Sequence, residues 1–221
     1  MFRCIFQPKV TTSLYGRLVS PGRRLEEIMS ENTSKSRGAL TDPSRLPPVD
    51  PDSHGTIEVI IETPKGSRNK YAFDAELKIF QLKKVLPAGM AFPYDFGFIP
   101  STIADDGDPV DVLVLMDEPA FAGCLLKCRP VGVIEGQQGK KKDKERNDRI
   151  VAVERENHSY AHVKHVRDLG KKFLRELEEF FVNYHDLSGE KYRILDCKGP
   201  GEAFRRMEEG IRAAQRSRRK T

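Results

Sequence analysis

The residues best suited to chemistry form an acidic cluster around position 108. Residues 105–111 include four aspartates in seven positions, and the apolar stretch 110–115 overlaps and follows them. Like charges held at the mouth of a sheet repel one another unless a cation binds between them or some of them take up protons. Carboxylate oxygens are hard ligands, so this pattern favours Mg²⁺, with Mn²⁺ as a substitute.

An EF-hand loop or a solvated turn would also place several acids close together. The EF-hand fails because its sixth position should be glycine and is Asp111 here, with Pro109 at the fourth. The solvated turn, an Asp-Gly-Asp-Pro sequence with its acids in water, stays open on this segment alone.

The cluster lies in a region whose pattern predicts β-strands. Ile57, Val59 and Ile61 alternate with other residues, which is typical of a half-buried strand. Further strands are predicted at 71–73, 79–82, 110–115, 125–133 and 150–153. The charged segment 135–149 is predicted to be a mobile hairpin loop between strands.

Helical spacing is confined to the later part of the chain. Apolar residues recur on one helical face over 169–184 and again over 203–214. Strands followed by helices, without βαβ alternation, predict a mainly β fold in which a compact antiparallel barrel carries helices on its outside.

The two ends of the chain differ from this domain. Proline and polar residues throughout 1–54 predict a disordered extension or linker, with the domain at 55–216 and a basic tail at 217–221. The first 25 residues carry no acid, which is the bias of a mitochondrial presequence, but Met29 is an equally good candidate for the true start. The cytoplasm is the expected location, and mitochondria the alternative if 1–28 is a genuine presequence.

Composition excludes several classes of protein. The chain has 221 residues, and no stretch approaches the roughly 18 consecutive apolar residues of a membrane-spanning helix. Its four cysteines are too few for a disulfide scaffold. The net charge of +5 comes from the two ends, since residues 55–204 hold 23 basic and 25 acidic side chains. A nucleic-acid partner is therefore not expected.

Several motifs together carry a family resemblance. Residues 106–112, Asp-Gly-Asp-Pro-Val-Asp-Val, are similar to the signature of the soluble family I inorganic pyrophosphatases. Segments at 60–64, 69–71, 92–100, 129–133 and 180–186 follow in that family's order and spacing. The resemblance covers roughly residues 56–215. It implies a five-stranded OB-like barrel flanked by C-terminal helices, hydrolysis of diphosphate to two phosphates, and assembly into a homo-oligomer, by resemblance a hexamer.

The resemblance also implies roles for individual residues. Asp106 and Asp111 would bind the ions that activate a water molecule, Asp108 would take its proton and also contact metal, and Glu62 would belong to the rim of the metal cavity. The side chains expected to hold the substrate phosphates are Lys70, Lys84, Arg149 and Tyr184.

The sequence departs from the family pattern at several of these positions. An expected acid is Ala72, an expected arginine is Lys84, two expected tyrosines are Phe92 and Phe96, and an expected lysine is His185.

The segment before Ile150 raises a question of register. It should supply two metal-binding acids, but the direct alignment offers Lys142 and Asn147 there. A shift of one residue would bring Asp143 and Asp148 into those positions, and both alignments remain open.

Three functions are compatible with this pattern. The first is a working diphosphatase with fewer or looser metal sites, which the surviving aspartates favour. The second is a diverged hydrolase of an organic or nucleoside diphosphate, because the phosphate-binding side chains select the substrate. The third is a non-catalytic OB-like module that binds nucleic acid, which the acidic strand ends disfavour.

Overall fold

A computed structural model describes residues 42–50, 52, 55–140 and 143–219, and the side chains of Lys140 and Asp143 lie outside this description. Its strands are β1 Ile57–Thr63, β2 Asn69–Asp74, β3 Ile79–Val85, β4 Asp95–Phe98, β5 Asp111–Leu115, β6 Leu125–Lys140, β7 Asp143–Arg146, β8 Arg149–Glu154 and β9 Lys191–Lys198. Its two α-helices are α1 Gly170–Asp186 and α2 Pro200–Arg218. Single 3₁₀ turns occur at Pro43–Arg45 and Val166–Leu169.

Five of the described strands close into a barrel. Their order is β1-β4-β5-β8-β6, and β6 pairs again with β1 to complete the ring. β9 and β7 extend β6 beyond the barrel, and β2 and β3 form a separate two-stranded sheet. The prediction of a mainly β fold, a five-stranded OB-like barrel with C-terminal helices, is confirmed.

One pairing in the barrel is not antiparallel. β5 and β8 run in the same direction, with Val112 opposite Ile150. In the ring, β8 lies between β5 and β6. It is antiparallel to β6 and parallel to β5. The expectation of a purely antiparallel barrel is wrong at this one interface. The parallel register has a consequence for the site, because it places the residues that precede this pair, Asp111 and Arg149, side by side.

The first strand is more deeply buried than its alternating pattern predicts. Within β1 every residue except Glu62 is buried, including Glu58. Gly97 of β4 allows the close approach, because a Cβ there would stand 2.1 Å from the Ile60 carbonyl oxygen. The outer side of β1 is covered by the preceding residues, where Val49 bridges to Ile57 and the Glu58 N–H donates to the Pro48 carbonyl at 3.0 Å.

Residues 42–50 therefore lie on the domain, ahead of the expected start at 55. The Ser101 N–H donates to the Ser44 carbonyl at 2.8 Å, and the Ser101 hydroxyl donates to the Leu46 carbonyl at 2.9 Å. At the other end α2 continues through Arg218, into the expected basic tail. The candidate presequence at 1–28 lies outside the described residues.

The segment 135–149 is a strand hairpin rather than a mobile loop. β6 continues to Lys140, and β7 returns alongside it with Gln137 opposite Arg146. Glu, Gln and Lys have weak strand propensity, but β6 is fixed here by partners on both edges, β7 and β9. β4 and β9 are also absent from the sequence prediction, β4 because four residues containing a glycine show no clear alternation.

The helices cover the outside of the barrel. α1 buries Leu177 and Phe181 against it, and α2 buries Met207 and Ile211. Each such side chain contributes about 1.5–3 kcal/mol when fully removed from water. β9 lies between the two helices in sequence, so the expected order of all strands before all helices is not kept.

Candidate active site

A cavity of about 780 Å³ brings most of the predicted site residues together. Seven of them line it: Glu62, Lys70, Asp106, Asp108, Asp111, Arg149 and Tyr184. The acidic lining residues, called here the acidic side, come from the end of β1, the loop before β5 and the start of β5. The basic side consists of residues from β2 and β8, and Arg149 lies next to Asp111. The cavity therefore holds groups that can bind cations beside groups that can bind anionic oxygens.

Two carboxylates of the acidic side have raised pKa values. Glu62 accepts a hydrogen bond from the Phe73 N–H at 2.8 Å, but burial raises its pKa to about 7, helped by the nearby charge of Asp111. Burial likewise raises the pKa of Asp111 to about 6, against the opposing influence of Arg149 and Lys70. In both cases burial disfavours the ionised form of the carboxylate.

The loop before β5 presents the other two carboxylates. Asp106 accepts from the Asp108 N–H at 3.1 Å, and Gly107 between them has a φ of +91°, which favours glycine. Partial burial raises the pKa of Asp106, and both Asp106 and Asp108 are exposed residues that line the cavity. The turn thus holds the Asp108 carboxylate where water has access to it.

Arg149 is the most buried charge on the basic side, with 3 % of its surface exposed. One terminal nitrogen donates to the Tyr192 hydroxyl at 3.0 Å and to the Asn147 carbonyl at 3.3 Å. The guanidinium lies 4.0 Å from the centre of the Phe181 ring. Its Nε stands 3.9 Å from the Asp111 carboxylate and has no hydrogen-bond partner among the described residues.

The two predicted lysines occupy neighbouring positions on the β2–β3 hairpin. Lys70 lies opposite Lys84 in the register, but only Lys70 lines the cavity. Burial by itself would lower the pKa of Lys70. The nearby Tyr184 and Asp111 have the larger combined effect, so the pKa is raised. Lys84 donates to the Ser188 hydroxyl at 2.8 Å and lies 4.7 Å from the Tyr184 ring centre, outside the cavity lining.

The structure adopts the direct alignment of the segment before Ile150. Asn147 lines the main cavity, and its amide donates to Gln138 Oε1 at 2.6 Å. Asp148 does not line this cavity. Its carboxylate accepts from the Gly136 N–H at 3.1 Å and forms an ion pair with Arg146 at 2.8 Å. The side chain of Asp143 lies outside the described residues.

Asp148 instead lines a second, smaller cavity of about 380 Å³ behind the acidic loop. Asp106 and Asp111 line both cavities. Arg206 of α2 joins this region, with its Nε 3.2 Å from Asp148 and a terminal nitrogen 3.0 Å from Glu135. In this structure the Asp148 carboxylate therefore pairs with Arg146 and Arg206, and the second pair anchors α2.

Two residues of the site have roles that the sequence does not reveal. His185 is buried and lies parallel to the Tyr192 ring, with centroids 5.1 Å apart. Burial, and then the charge of Arg149, lowers the pKa of His185 to about 4, so it is neutral at pH 7. Tyr192 lies on β9, which shows no clear strand pattern, and its contact with Arg149 depends on a pairing distant in sequence.

The remaining departures remove polar groups from the cavity. Phe92 and Phe96 are buried core residues that also line it, and Ala72 lines it with a methyl group. Fewer ligands and hydroxyls are thus available than the resemblance implies.

The donor chemistry of the acidic side fits a hard divalent cation. In the part of the chain that the structure describes, no three His, Cys, Asp or Glu side chains are arranged to enclose a metal ion by themselves. Mg²⁺ does not need such an enclosure, because it usually retains several waters and binds through one or two carboxylates together with substrate phosphates. The raised pKa values of Glu62 and Asp111 point the same way, since a cation would favour their ionised forms.

An OB-like barrel whose cavity brings clustered carboxylates together with cationic side chains defines a class of protein that handles phosphoryl groups with the help of divalent ions. A family model described as inorganic pyrophosphatase matches residues 59–215. The chain therefore belongs to the inorganic pyrophosphatase family, a family of hydrolases, and the predicted resemblance and enzyme class are confirmed.

Individual relatives agree with this assignment. The inorganic pyrophosphatase of a Synechocystis species is 40% identical over 171 residues, which cover 77% of this chain and 98% of the relative. That of a Nostoc species is 39% identical over 172 residues, covering 78% and 98%. The crystal structure of inorganic pyrophosphatase from Thermus thermophilus superposes with a TM-score of 0.72 at 29% identity and covers 79% of this chain and 99% of that one.

No helix in the described residues has both the length and the apolar character that crossing a membrane requires.

Proposed function

We propose that this chain hydrolyses inorganic diphosphate to two phosphates in the 780 Å³ cavity, with Mg²⁺ as cofactor and Mn²⁺ as a substitute. The observation that carries this proposal is that Asp106, Asp108 and Asp111 line one cavity together with Lys70 and Arg149. Diphosphate is highly anionic, so a nucleophile reaches its phosphorus only when cationic groups offset that charge.

The acidic side would hold the metal. Asp106 and Asp111 are the proposed ligands, with Glu62 at the rim, and Asp108 lines the same cavity. Bound Mg²⁺ neutralises phosphoryl oxygens and lowers the pKa of a water molecule. Asp143 and Asp148 keep their place in the proposal only as candidates, since Asp148 is engaged by Arg146 and Arg206.

The chain's own side chains perform the other tasks. Asp108, exposed at the mouth and held by the turn, accepts the proton of the attacking water. Lys70, Arg149 and the Tyr184 hydroxyl bind and orient the phosphoryl oxygens, and Lys84 approaches from beside the Tyr184 ring. His185, neutral at pH 7, lines the cavity without adding charge.

A hydrolysis panel tests this function. Phosphate release is measured for diphosphate, tripolyphosphate and nucleoside di- and triphosphates, each with Mg²⁺, with Mn²⁺ and with chelator. The proposal expects metal-dependent release that is fastest from diphosphate. Faster release from a nucleoside diphosphate would assign the diverged hydrolase instead, and a salt-dependent gel shift without any release would assign the nucleic-acid-binding module.

Assembly and location belong to the same proposal. A homo-oligomer, by resemblance a hexamer, is supported by exposed apolar side chains on β3, Ile79, Leu82 and Val85, each more than half exposed. Light scattering measures it directly. A reducing compartment is supported by the free thiols of Cys124, Cys128 and Cys197, and Cys4 lies outside the described residues. We propose the cytoplasm, with mitochondria as the alternative if residues 1–28 are a genuine presequence.

A further inference from the structure

Among the described residues, two hydrogen bonds hold the guanidinium of Arg149. One terminal nitrogen donates to the Tyr192 hydroxyl at 3.0 Å and, over a longer 3.3 Å, to the Asn147 carbonyl. The Arg149 Nε has no hydrogen-bond partner in the described part of the chain, and the Asp111 carboxylate stands 3.9 Å from it. The Tyr192 hydroxyl therefore accepts the shorter of the two bonds that orient this group.

Aromatic rings confine the Arg149 guanidinium but do not set its direction. The centre of the Phe181 ring lies 4.0 Å from it, and the centre of the Tyr192 ring lies 5.0 Å from it. Attraction to a ring face does not select which N–H donor points into the cavity, because it lacks the directionality of a hydrogen bond. The direction of the donors therefore depends on the bond to the Tyr192 hydroxyl.

The Tyr192 side chain is itself fixed. It is 5 % exposed, and its ring lies parallel to that of His185 with 10° between the planes. On the neighbouring strand β6, Gly136 leaves room for the hydroxyl, because a Cβ there would stand 2.4 Å from the hydroxyl oxygen. This oxygen thus occupies one position, against which Arg149 can be oriented.

Tyr192 can affect a bound ligand only through a neighbour. It does not line the main cavity, whereas Arg149 does. Burial raises the pKa of Tyr192, so its hydroxyl stays neutral and does not cancel the positive charge of Arg149.

We propose that Tyr192 is a positioning residue, whose hydroxyl holds the Arg149 guanidinium in the orientation that phosphoryl oxygens require before a substrate arrives. This rests on the proposed function, in which Arg149 binds those oxygens. Without the hydroxyl, the arginine side chain would be ordered anew at each binding event. The cost is the same in the ground state and in the transition state, so KM should rise while kcat changes little.

Tyr192→Phe tests this, because it removes the hydroxyl and keeps the ring that lies against His185. With Mg²⁺ in excess, the KM for diphosphate should rise about three- to tenfold, on the scale for ordering one long side chain. Tyr71→Phe is the matched control: its hydroxyl accepts a hydrogen bond from the Asn69 amide at 2.9 Å, and Tyr71 lines neither cavity. The control should leave KM and kcat unchanged.

An unchanged KM in Tyr192→Phe would overturn the proposal, and so would an equal rise of KM in Tyr71→Phe. Thermal unfolding establishes that each variant is folded.

A double-mutant cycle distinguishes positioning from a general change of structure. In an Arg149→Met background, Tyr192→Phe should have no further effect on affinity for diphosphate, since no guanidinium remains to be oriented. An effect of full size in that background would overturn the proposal. Arg149→Gln serves as the background if the Met variant is not folded, because it also lacks the guanidinium.

The same cycle is measured without catalysis, by calorimetry of inorganic diphosphate binding to the full chain in the presence of chelator. Tyr192→Phe should weaken this binding by a similar factor, and only where Arg149 is retained. If the cycle shows this coupling but the unmodified protein does not hydrolyse diphosphate with Mg²⁺, the proposed function fails and the positioning role stands. Normal hydrolysis with equal affinity in Tyr192→Phe and the unmodified protein removes the positioning role and leaves the proposed function in place.

Discussion

Asp108 and Asp111 lie three positions apart but occupy different surroundings. Asp111 begins β5 beside Arg149, and burial raises its pKa, whereas Asp108 is exposed on the preceding turn. A metal ligand benefits from the first environment and a proton acceptor from the second, because an exposed carboxylate can exchange its proton with solvent.

Asp108→Asn should therefore lower turnover of diphosphate by at least about a hundredfold, on the scale for loss of a positioned base. The fold should persist, since the Asp108 contact in the turn is made by its backbone N–H and not by its carboxylate. Asp105→Asn is the control, because Asp105 is exposed and does not line the main cavity. Near-normal turnover of Asp108→Asn in a steady-state assay would remove this residue from the mechanism.

Glu62 gives a prediction about stability and pH in the metal-free protein. Its pKa rises from the usual 4.5 to about 7 in the folded chain, so its ionisation favours unfolding. This cost is absent below about pH 4.5 and complete above about pH 7. Glu62→Gln keeps an acceptor for the Phe73 N–H and removes the cost.

The advantage of the Gln variant over the unmodified protein in the free energy of unfolding should grow by on the order of 2 kcal/mol as the pH rises from 4.5 to 8. Urea unfolding in the presence of chelator at both pH values measures this. Glu76→Gln, at an exposed position, should show no such pH-dependent gain. A gain of equal size at both pH values would mean that the effect is packing and not ionisation.

At the scale of elements, a group of ion pairs links α2 to the β6–β7 hairpin and positions one wall of the site. Arg206 of α2 contacts Glu135 on β6 and Asp148 just before β8, and Arg146 of β7 contacts the same two carboxylates. The Asn147 backbone lies within this link, since its N–H donates to the Gly136 carbonyl at 3.0 Å.

Arg206→Met should cost about 1–3 kcal/mol in the free energy of unfolding, because it leaves partly buried carboxylates with fewer partners. Its neighbour Arg205 makes ion pairs with Glu202 and Glu209 on the exposed side of the helix, where such pairs contribute about 0–1 kcal/mol. Arg205→Met is thus the matched control. Equal losses for the two variants in urea titrations would contradict a specific anchoring role for Arg206.

The sequence predicts most of the barrel strands and the acidic turn because each of these gives a local signal. Alternating apolar residues mark β1, and Asp-Gly-Asp-Pro marks the turn before β5. The choice between Asn147 and Asp148 is different, because polar strands lack alternation and their register is set by partners distant in sequence. Tyr192 and its contact with Arg149 are hidden for the same reason.

At the scale of the whole molecule, residues 42–50 act as part of the domain. They cover the outer face of β1 and bond to the loop at Ser101, which lines the main cavity together with Ser44. Asp50 is 5 % exposed and pairs with Lys127 at 2.9 Å. This segment therefore joins the rim of the site to the barrel wall.

A chain that begins at residue 55 should melt several degrees lower than a chain that begins at residue 42, because the first exposes the outer face of β1. Calorimetry on the two shortened chains measures the difference directly. Equal melting temperatures would show that residues 42–50 lie on the surface without stabilising it.

The closure of the barrel between β1 and β6 also has a consequence for how the protein is made. Ile57 pairs with Cys128, and the whole of β2 to β5 lies between these partners in the chain. Contacts so distant in sequence form slowly, because loop-closure entropy is lost before they stabilise anything. On the ribosome, β1 leaves the exit tunnel long before its partner does, so the apolar residues of β1 stay uncovered during much of translation.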